Sequence, residues 1–472
     1  MKSPNYLYTL MLVAAFAAGC KVSKDVVKPA DATPAAYRFA SPADQQDSAG
    51  IAAVPLKNFI TEPGIQQLID TALARNYDLQ LAVKNIEASE LLFKQSRLGN
   101  LPTINLQITA SSSRPSDNSL NGLSASQFLK TSHIEDYNAN VGLSWESDIW
   151  GKIKSQKQAA LAAYLQTTEV KKAVQTRLIA NVAQGYYQLL MMDAQLAVAQ
   201  KNLALSDSTL GIIHMQFDAG QVTSLAIQQA EAQQLVAAQL VPQLEQNIAI
   251  QENALRILTG QLPAAVTRLA SLEQTKVPAQ LSAGLPSSMV GRRPDVRSAE
   301  LALNIANARV GITKASLYPT LSISASGGLN SFKASNWFNV PASLFGVATG
   351  GLTQPIFQRK QLKTQYELAK IDREKTVIQF RQSVLNAVGE VSDELVKIEK
   401  LKAQYDISSK RVNTLQQAVK NANLLFRNGM ATYLEVITAQ SNSLQSELEL
   451  AAIKTAQLTA SVELYRTLGG GI

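Results

Sequence analysis

The spacing of apolar residues predicts two kinds of element, very long helices and short strands. Residues 152–217 and 359–426 contain no proline and almost no glycine, and each predicts a helix about 100 Å long at 1.5 Å per residue. Shorter helices are predicted at 223–258 and 432–468. In the second long helix, apolar residues recur every 3.5 positions on average, which predicts a coiled-coil seam. The seam residues are Val377, Phe380, Val384, Val388, Val391, Leu395 and Ile398.

Three short segments, 103–109, 140–146 and 320–326, alternate apolar and polar residues and predict strands with one apolar and one polar face. A fourth strand is predicted at 344–352, where glycine and threonine leave its register ambiguous. Strands of outer-membrane barrels show this alternation. By periodicity alone, amphipathic strands packed on a soluble core are the commoner case. The long helices offer no evident core of that kind, which favours strands that face lipid on one side.

The sequence contains an internal duplication with a period near 210 residues. An offset of 217 aligns Asp78, Ala82, Pro102 and Thr103 with Asp295, Ala299, Pro319 and Thr320. An offset of 209 later aligns Phe217, Gly220, Thr223 and Leu225 with Phe426, Gly429, Thr432 and Leu434. This period is too long for a solenoid and indicates a duplicated domain-sized unit. Each copy is predicted as helix, strand, loop, strand, very long helix, tight turn and long helix.

Four strands cannot close a barrel, and an open sheet edge in lipid would leave backbone groups without hydrogen bonds. We therefore expect three copies of the chain to contribute four strands each to a barrel of twelve. The predicted loops at 111–136 and 327–343 are rich in Ser, Asn and Gly, which is typical of external barrel loops.

The amino terminus has the features of an export signal that ends at a cysteine. Lys2 precedes an apolar run, and small residues lie directly before Cys20, the only cysteine of the chain. This arrangement predicts a bacterial lipoprotein in which Cys20 carries the lipid and begins the mature chain. An ordinary secretory signal is the alternative, since Ala17 replaces the usual leucine of the lipoprotein motif. The absence of Asp after Cys20 resembles enterobacterial lipoproteins sorted to the outer membrane.

Composition narrows the possible partners. The formal charge of +8, or +7 once Lys2 is removed with the signal, is spread along the helices without interleaved aromatic residues, which argues against nucleic acid. A single cysteine excludes a disulfide framework. No run of 18 apolar residues follows Cys20, so no transmembrane helix is predicted.

No motif predicts catalysis or a bound cofactor. His133 and His214 are too few and too far apart for a metal site, and no Gly-rich phosphate loop or catalytic Ser, Asp and His spacing is present. We expect no enzyme activity and no cofactor apart from covalent lipid. The sequence RRPD at 292–295 predicts a helix opened by Pro294, with arginines paired to nearby acids. Trp145, Trp150 and Trp337 fit membrane-interface anchors or simple packing.

Several motifs together resemble the TolC-like outer-membrane factors, and among them the lipoprotein branch of RND-type efflux systems. Residues 284–300 read GLPSSMVGRRPDVRSAE, residues 68–79 read LIDTALARNYDL, and residues 148–152 read DIWGK. Two turns of the form Phe-x-x-Gly-x-x-Thr occur, at 217–223 and 426–432. The resemblance covers essentially the whole chain after the signal, with the motifs in the family's order.

The resemblance implies a mainly α fold with a transmembrane β part. It implies a homotrimer whose 12-stranded barrel in the outer membrane continues into a 12-helix periplasmic α-barrel. Its lumen is a passive exit duct for drugs or other toxic small molecules, which are delivered by an inner-membrane RND-type transporter and a periplasmic adaptor. The expected segments are a signal (1–19), a lipidated extended segment (20–64), a first repeat (65–260), a linker (261–293) and a second repeat (294–472).

The resemblance also assigns roles to the turns between long helices. Gly220 and Gly429 are turn glycines, and these tips form the periplasmic mouth that meets the adaptor, with Thr223 and Thr432 as helix caps. The family usually has an acidic residue where this chain has Thr438. The expected gate is a ring of Leu434 with Thr438 behind it and Glu435 supplying negative charge. Ordinary helix packing is the alternative for all three residues, and for Glu435 it is as well supported as the gate role.

Other functions remain open on the sequence. A periplasmic coiled-coil adaptor would have a single hairpin with β-rich flanking domains. A TolC-like component for type I protein secretion or for metal-ion efflux would share the fold and differ in cargo. The RRPD linker and the lipoprotein signal favour small-molecule efflux, and the cargo itself cannot be read from the sequence.

Overall fold

The computed structural model describes residues 34, 36–38, 50–278 and 281–471. Cys20 and the predicted signal lie outside the described residues. The chain divides into two compact units. One contains Glu87–Leu165 and Leu301–Ile378, and the other contains the described parts of Ala30–Ile86 together with Gln166–Glu300 and Gln379–Ile472. Each unit therefore takes residues from both sequence repeats.

The two repeats have the same order of elements. After short helical turns at Ile51–Ala53 and Leu56–Phe59 and helix α1 (Pro63–Arg75), the first repeat contains α2 (Tyr77–Arg97), β1 (Thr103–Ser113), β2 (Ile134–Ser147), α3 (Lys152–Asp218) and α4 (Ser224–Leu258). The second contains α5 (Pro294–Ala315), β3 (Thr320–Ser331), β4 (Leu344–Thr353), α6 (Gln361–Arg427) and α7 (Tyr433–Thr467). Short helices also occur at Leu120–Ser124, Ala125–Leu129, Pro286–Arg292 and Ala334–Asn336.

Corresponding long helices have equal lengths, 67 residues in α3 and α6 and 35 residues in α4 and α7. The predicted duplication is thereby confirmed at the level of elements. The strands extend into the segments predicted as loops at 111–136 and 327–343, since β1 reaches Ser113, β2 begins at Ile134 and β3 reaches Ser331. Other boundaries also differ from the prediction. The helical turns at Ile51–Ala53 and Leu56–Phe59 lie where an extended segment was expected. Helix α6 begins at Gln361 rather than at Arg359, because Arg359 and Lys360 have left-handed φ values of 50° and 62°.

The unit that contains Glu87–Leu165 and Leu301–Ile378 holds one antiparallel sheet in the order β1-β2-β3-β4. The ambiguous fourth strand pairs with β3 from Thr320 opposite Thr353 to Leu329 opposite Leu344. At the start of α3, both carboxylate oxygens of Asp148 accept backbone N–H groups, from Ile153 and Lys154, at 2.8 Å. Asp148 therefore caps the helix that follows β2.

The other unit is helical, and its described residues form three apolar clusters. The predicted seam of α6 forms part of one of them, with Phe380, Val384 and Val391 at 3% exposure or less. A second cluster is centred on Val182, Tyr186 and Leu189 of α3. These residues lie three, four or seven positions apart and therefore share one side of each helix. Helix α6 also exposes apolar side chains outside this side, as at Ile378 and Leu385.

Candidate functional site

One face of the sheet is polar, and its side chains form rows across all four strands. One row runs from Gln107 through Asn140 and Gly328 to Phe345, and the next runs from Asn105 through Gly142 and Ser326 to Val347. Residues opposite one another on paired strands point to the same side of a sheet. The polar face lines an open, shallow concavity of about 440 Å³. A wall of amide and hydroxyl groups of this kind suits contact with water.

The opposite face of the sheet is apolar and exposed in the single chain. On β1, Ile104, Leu106 and Ile108 are 65%, 70% and 64% exposed, and on β4, Leu352 is 68% exposed. Burying a large aliphatic side chain is worth about 1.5–3 kcal/mol, so a row of such side chains facing water would be unfavourable. The geometry therefore agrees with a face that contacts lipid or another apolar surface.

Strands β1 and β4 lie at the two edges of the sheet. Each pairs on one side only, β1 with β2 and β4 with β3. Edge strands of 11 and 10 residues present rows of backbone N–H and C=O groups that can pair with a further strand.

Tryptophans make defined contacts at both ends of the sheet. At one end, Trp150 stacks on Tyr318 with 4.7 Å between ring centroids, and its Nε1–H donates to the Pro319 carbonyl at 2.7 Å. Trp145 donates to the Asn100 carbonyl at 2.8 Å. At the other end, Trp337 donates to the Leu329 carbonyl at 3.3 Å. Each indole therefore has its polar atom satisfied, and the role of the tryptophans as interface anchors stays a prediction.

The two tight turns between long helices have the same backbone geometry. Gly220 and Gly429 have φ values of 72° and 71°. In the first turn the N–H groups of Gly220 and Gln221 donate to Phe217 and Gln216, and in the second those of Gly429 and Met430 donate to Phe426 and Leu425. This pattern satisfies the last carbonyls of a helix and requires a left-handed residue, so both glycines are confirmed as turn residues.

The tips of the two hairpins pack together within the helical unit. Ile213 and Ala226 of the first hairpin contact Phe426 and Val436 of the second in one buried cluster. The Tyr433 hydroxyl, at the start of α7, donates to the Gln229 side-chain oxygen of α4 at 2.7 Å. Two turns further along α7, the side chain of buried Gln440 donates to the Thr209 hydroxyl of α3 at 3.0 Å. The tips are therefore joined by apolar packing and by polar contacts between hairpins.

Thr223 and Thr432 occupy the predicted N-cap positions before α4 and α7, but the hydrogen bonds at the two caps differ. Thr223 and Thr432 have extended backbones directly before α4 and α7, and the Thr223 hydroxyl caps no backbone group. Before α7, the Glu435 carboxylate accepts the Thr432 backbone N–H at 2.7 Å. The glutamate therefore supplies the return contact of a capping box, because a carboxylate three residues into a helix can reach back to the N-cap.

The predicted gate residues lie on the exposed surface of α7 in the single chain. Leu434 is 56% exposed, and Glu435 and Thr438 are also exposed, whereas Val436 and Gln440 of the same helix are buried. The helix thus separates a face packed within the chain from the face that carries Leu434, Glu435 and Thr438. The gating role of these residues stays a prediction, as does adaptor docking at the tips.

Arg293 of the RRPD sequence is buried and links three elements. Its guanidinium donates to both carboxylate oxygens of Asp295 at 3.0 and 2.6 Å, to Glu390 of α6 at 2.8 Å, and to the Thr467 carbonyl at the end of α7 at 3.1 Å. Pro294 opens α5 as predicted. Burial would raise the pKa of Asp295, but the hydrogen bond and charge of Arg293 outweigh it and leave the pKa lowered. The predicted pairing of this arginine with nearby acids is confirmed.

Asn76 occupies the equivalent place in the first repeat. Its amide donates to the Leu258 carbonyl at the end of α4 at 3.0 Å and accepts the Leu79 N–H at 3.0 Å. The offset of 217 that relates the repeats aligns Asn76 with Arg293, and the offset of 209 aligns Leu258 with Thr467. We call this contact, between a side chain near the start of a repeat and the end of that repeat's last helix, the joint. It is made by a neutral amide in one repeat and by a charged network in the other.

Phe345 and Val347 on the polar face of the sheet were not identified from the sequence as functional residues. In β4 both alternating sets of positions contain apolar residues, so the pattern does not tell which set faces which side. The cross-strand register with β3 resolves this. Within the described residues there is no helix long and apolar enough to cross a membrane. The same part of the chain holds no cluster of three His, Cys, Asp or Glu placed to bind a metal.

Known proteins resemble this chain in sequence and in fold. The sequence model of the family described as "Outer membrane efflux protein" matches residues 68–261 and 285–470. The chain is 27% identical to the cation efflux system protein CusC of Escherichia coli O6:H1 over 97% of both chains. It is 29% identical to the solvent efflux pump outer membrane protein SrpC of Pseudomonas putida over 96% of both. The open-state structure of the MtrE outer membrane channel of Neisseria gonorrhoeae aligns with a TM-score of 0.82 at 25% identity, covering 96% of this chain and 98% of that one.

Proposed function

Because the chain belongs to the outer membrane efflux protein family, we propose that it is the passive exit duct of a tripartite efflux system. In this proposal an inner-membrane RND-type transporter supplies the energy, and a periplasmic adaptor connects that transporter to the duct. The chain binds its cargo only weakly, conducts it through a hydrated lumen and catalyses no reaction. Drugs and other toxic small molecules are the proposed cargo.

The observation that carries the proposal is the four-stranded sheet with one polar face, one exposed apolar face and two long edge strands. In lipid, the edges require partners and the apolar face requires none. Three copies arranged so that β4 of one pairs with β1 of the next give twelve strands, with the polar face inward. A closed barrel of that size leaves an aqueous channel.

The helices extend the proposal into the periplasm. Four long helices per chain, α3, α4, α6 and α7, give twelve in a trimer, the number of the proposed α-barrel. Their hairpin tips form the periplasmic mouth, where adaptor contacts favour the open state by splaying the tips. A ring of Leu434, with Thr438 behind it and Glu435 adding charge, closes the mouth in the resting state.

A covalent lipid on Cys20 completes the proposed anchoring in the outer membrane of a Gram-negative bacterium. The lipid assists retention in the membrane, while the barrel spans it.

One specific observation supports metal ions as an alternative cargo. CusC, named for cation efflux, is 27% identical to this chain over nearly its full length. SrpC, named for solvent efflux, is similar to the same degree. An exit duct is therefore common to both proposals, which differ only in whether the cargo is a metal ion or a toxic organic molecule.

Neighbouring substitutions on β1 test the membrane topology of the proposal. Leu106 lies on the apolar face and Gln107 on the polar face. Lysine facing lipid at the bilayer midplane costs about 2–4 kcal/mol per site, and a trimer has three such sites. We expect Leu106→Lys to abolish heat-resistant trimers in a detergent gel. Gln107→Lys should keep the trimer and shift the ion selectivity of single channels in planar bilayers towards anions.

Two results would overturn the proposal. If wild-type protein gave neither trimers nor channels in bilayers, the duct would be wrong. If Leu106→Lys were tolerated while Gln107→Lys blocked assembly, the polar face would not be the lumen. Deleting the gene should also sensitise cells to toxic compounds without changing their uptake.

A further inference from the structure

The polar wall of the sheet carries an apolar stripe at one side. Phe345 ends the row that begins at Gln107, and Val347 ends the row that begins at Asn105. Both apolar side chains belong to β4 and line the same concavity as the amides of β1 and β2. Val347 is 55% exposed, so it lies open to whatever fills that space. Each row thus pairs hydrogen-bonding groups with an apolar surface.

Small residues on β3 make room for this stripe. Gly328 lies directly opposite Phe345, and a Cβ atom at Gly328 would come within 2.0 Å of the Ala139 carbonyl oxygen. Glycine is therefore required at this position, and it leaves the wall beside the Phe345 ring without a side chain. Ser326 is the similarly small neighbour of Val347. The half-buried Phe345 side chain consequently lines the concavity without a side chain on Gly328 beside it.

A carboxylate lies on the same face towards the loop end of the sheet. Asp136 is four residues before Asn140 on β2, which places it on the polar face about 13 Å along the strand from the Phe345 row. The Asp136 carboxylate accepts a hydrogen bond from the Asn330 side chain at 2.7 Å. In a lumen, three such carboxylates would raise the local concentration of cations.

We propose that the wall made by Phe345 and Val347 is a weak binding site for organic cations that carry an apolar ring, and that Asp136, about 13 Å further along β2, raises the local concentration of those cations. This inference rests on the proposed function, because it requires the polar face to line a lumen. A cation over the face of an aromatic ring at an exposed site gains about twofold to fivefold in affinity, enough to select a solute without trapping it. Val347 contacts the apolar part of the solute, and the amides of the same rows accept or donate hydrogen bonds.

Single-channel block of the purified full-length protein in planar bilayers tests this site. The probe is benzyltrimethylammonium, compared with tetramethylammonium, which lacks the ring, and benzenesulfonate, which has the opposite charge. We expect benzyltrimethylammonium to reduce the potassium chloride current at lower concentrations than either control. Phe345→Ser combined with Val347→Ser should weaken its block about threefold to tenfold and leave block by tetramethylammonium unchanged.

Further variants separate ring, charge and assembly. Phe345→Leu keeps an apolar side chain and should lose the part of the preference that depends on an aromatic face. Asp136→Asn should weaken block by both cations to a similar degree. Thr349→Ser, on the same face of β4, is the matched control and should change nothing.

The outcomes distinguish this inference from the proposed function. Channels with normal conductance whose block by benzyltrimethylammonium is the same in wild type, in the double serine variant and in Phe345→Leu would overturn the inference alone. A protein that forms no channels would overturn the duct itself. If the double serine variant fails to assemble, Phe345→Leu and Asp136→Asn still decide the result, since both preserve the packing of the strands.

Discussion

Replacing Arg293 by methionine should lower the free energy of unfolding of the helical unit, because every hydrogen bond that the guanidinium donates is lost. The side chain is 4% exposed, and Met keeps its apolar stem while removing every donor. The Thr467 carbonyl would lose its side-chain donor in a buried residue, which costs about 1–3 kcal/mol. Asp295 and Glu390 are 50% and 44% exposed, so water can solvate both carboxylates once the arginine is gone. The loss of each ion pair therefore costs at most about 1 kcal/mol of stability. The expected total is about 1–5 kcal/mol.

Thermal unfolding followed by circular dichroism at 222 nm, in detergent, measures this loss. A domain of 150–250 residues loses about 2–4 °C of melting temperature per kcal/mol, so a fall of several degrees is expected. Asn76→Ala is the matched control at the equivalent joint, where a neutral amide contacts the Leu258 carbonyl. Its loss should be about 1–2 kcal/mol, typical of a capping side chain.

The pH dependence of stability distinguishes the joint made by Arg293 from the joint made by Asn76. The pKa of Asp295 is lowered in the folded protein, so the associated stability is present above the ordinary carboxyl pKa of about 3.9 and is lost as the pH falls through the lower folded value. The difference between wild type and Arg293→Met should therefore shrink below about pH 4, while the difference for Asn76→Ala stays constant. A stability difference between wild type and Arg293→Met that persists unchanged in acid would refute the assignment of an ionic joint.

Three further outcomes are expected. Gly220→Ala and Gly429→Ala should each cost about 1 kcal/mol of stability and speed hydrogen exchange at the tips. The cost comes from the positive φ alone, because an added Cβ would meet no atom within 4 Å at either position. Unchanged hydrogen exchange would count against the turn geometry. Cys20→Ser should abolish incorporation of radiolabelled fatty acid and leave trimers intact, whereas persisting label would place the lipid elsewhere. Leu434→Ala with Glu435→Gln should raise the conductance of isolated trimers and weaken block by divalent cations, and wild-type values would locate the constriction away from these residues.

Long-range periodicity made most of the helical fold predictable. The seam through Phe380 and Val391 and the glycine turns were identified from the sequence because both follow from local rules, one apolar edge per helix and one left-handed residue per turn. The duplication supplied a second copy of each pattern. The start of α6 was placed two residues too early because composition does not reveal that Arg359 and Lys360 adopt left-handed conformations.

The candidate site was less predictable because its character depends on partners far apart in sequence. In β4 both sets of alternating positions contain apolar residues, and only the register with β3 assigns Phe345 to the polar face. The cap formed by Glu435 was likewise missed, since the sequence showed a threonine at the N-cap and a nearby acid without showing which would supply the contact. Pairing of Arg293 with acids was foreseen, whereas its bond to the end of α7 required the fold.

The equal lengths of the paired helices limit how the protein can change in evolution. Both hairpins must end at the same level for Ile213 and Phe426 to meet in one cluster. A deletion in α3 alone would withdraw the first tip by about 1.5 Å for each residue removed and separate these side chains. Viable insertions and deletions should therefore occur in concert, in matching multiples of a heptad in all four long helices. The distance that the duct spans would then vary among relatives in discrete steps.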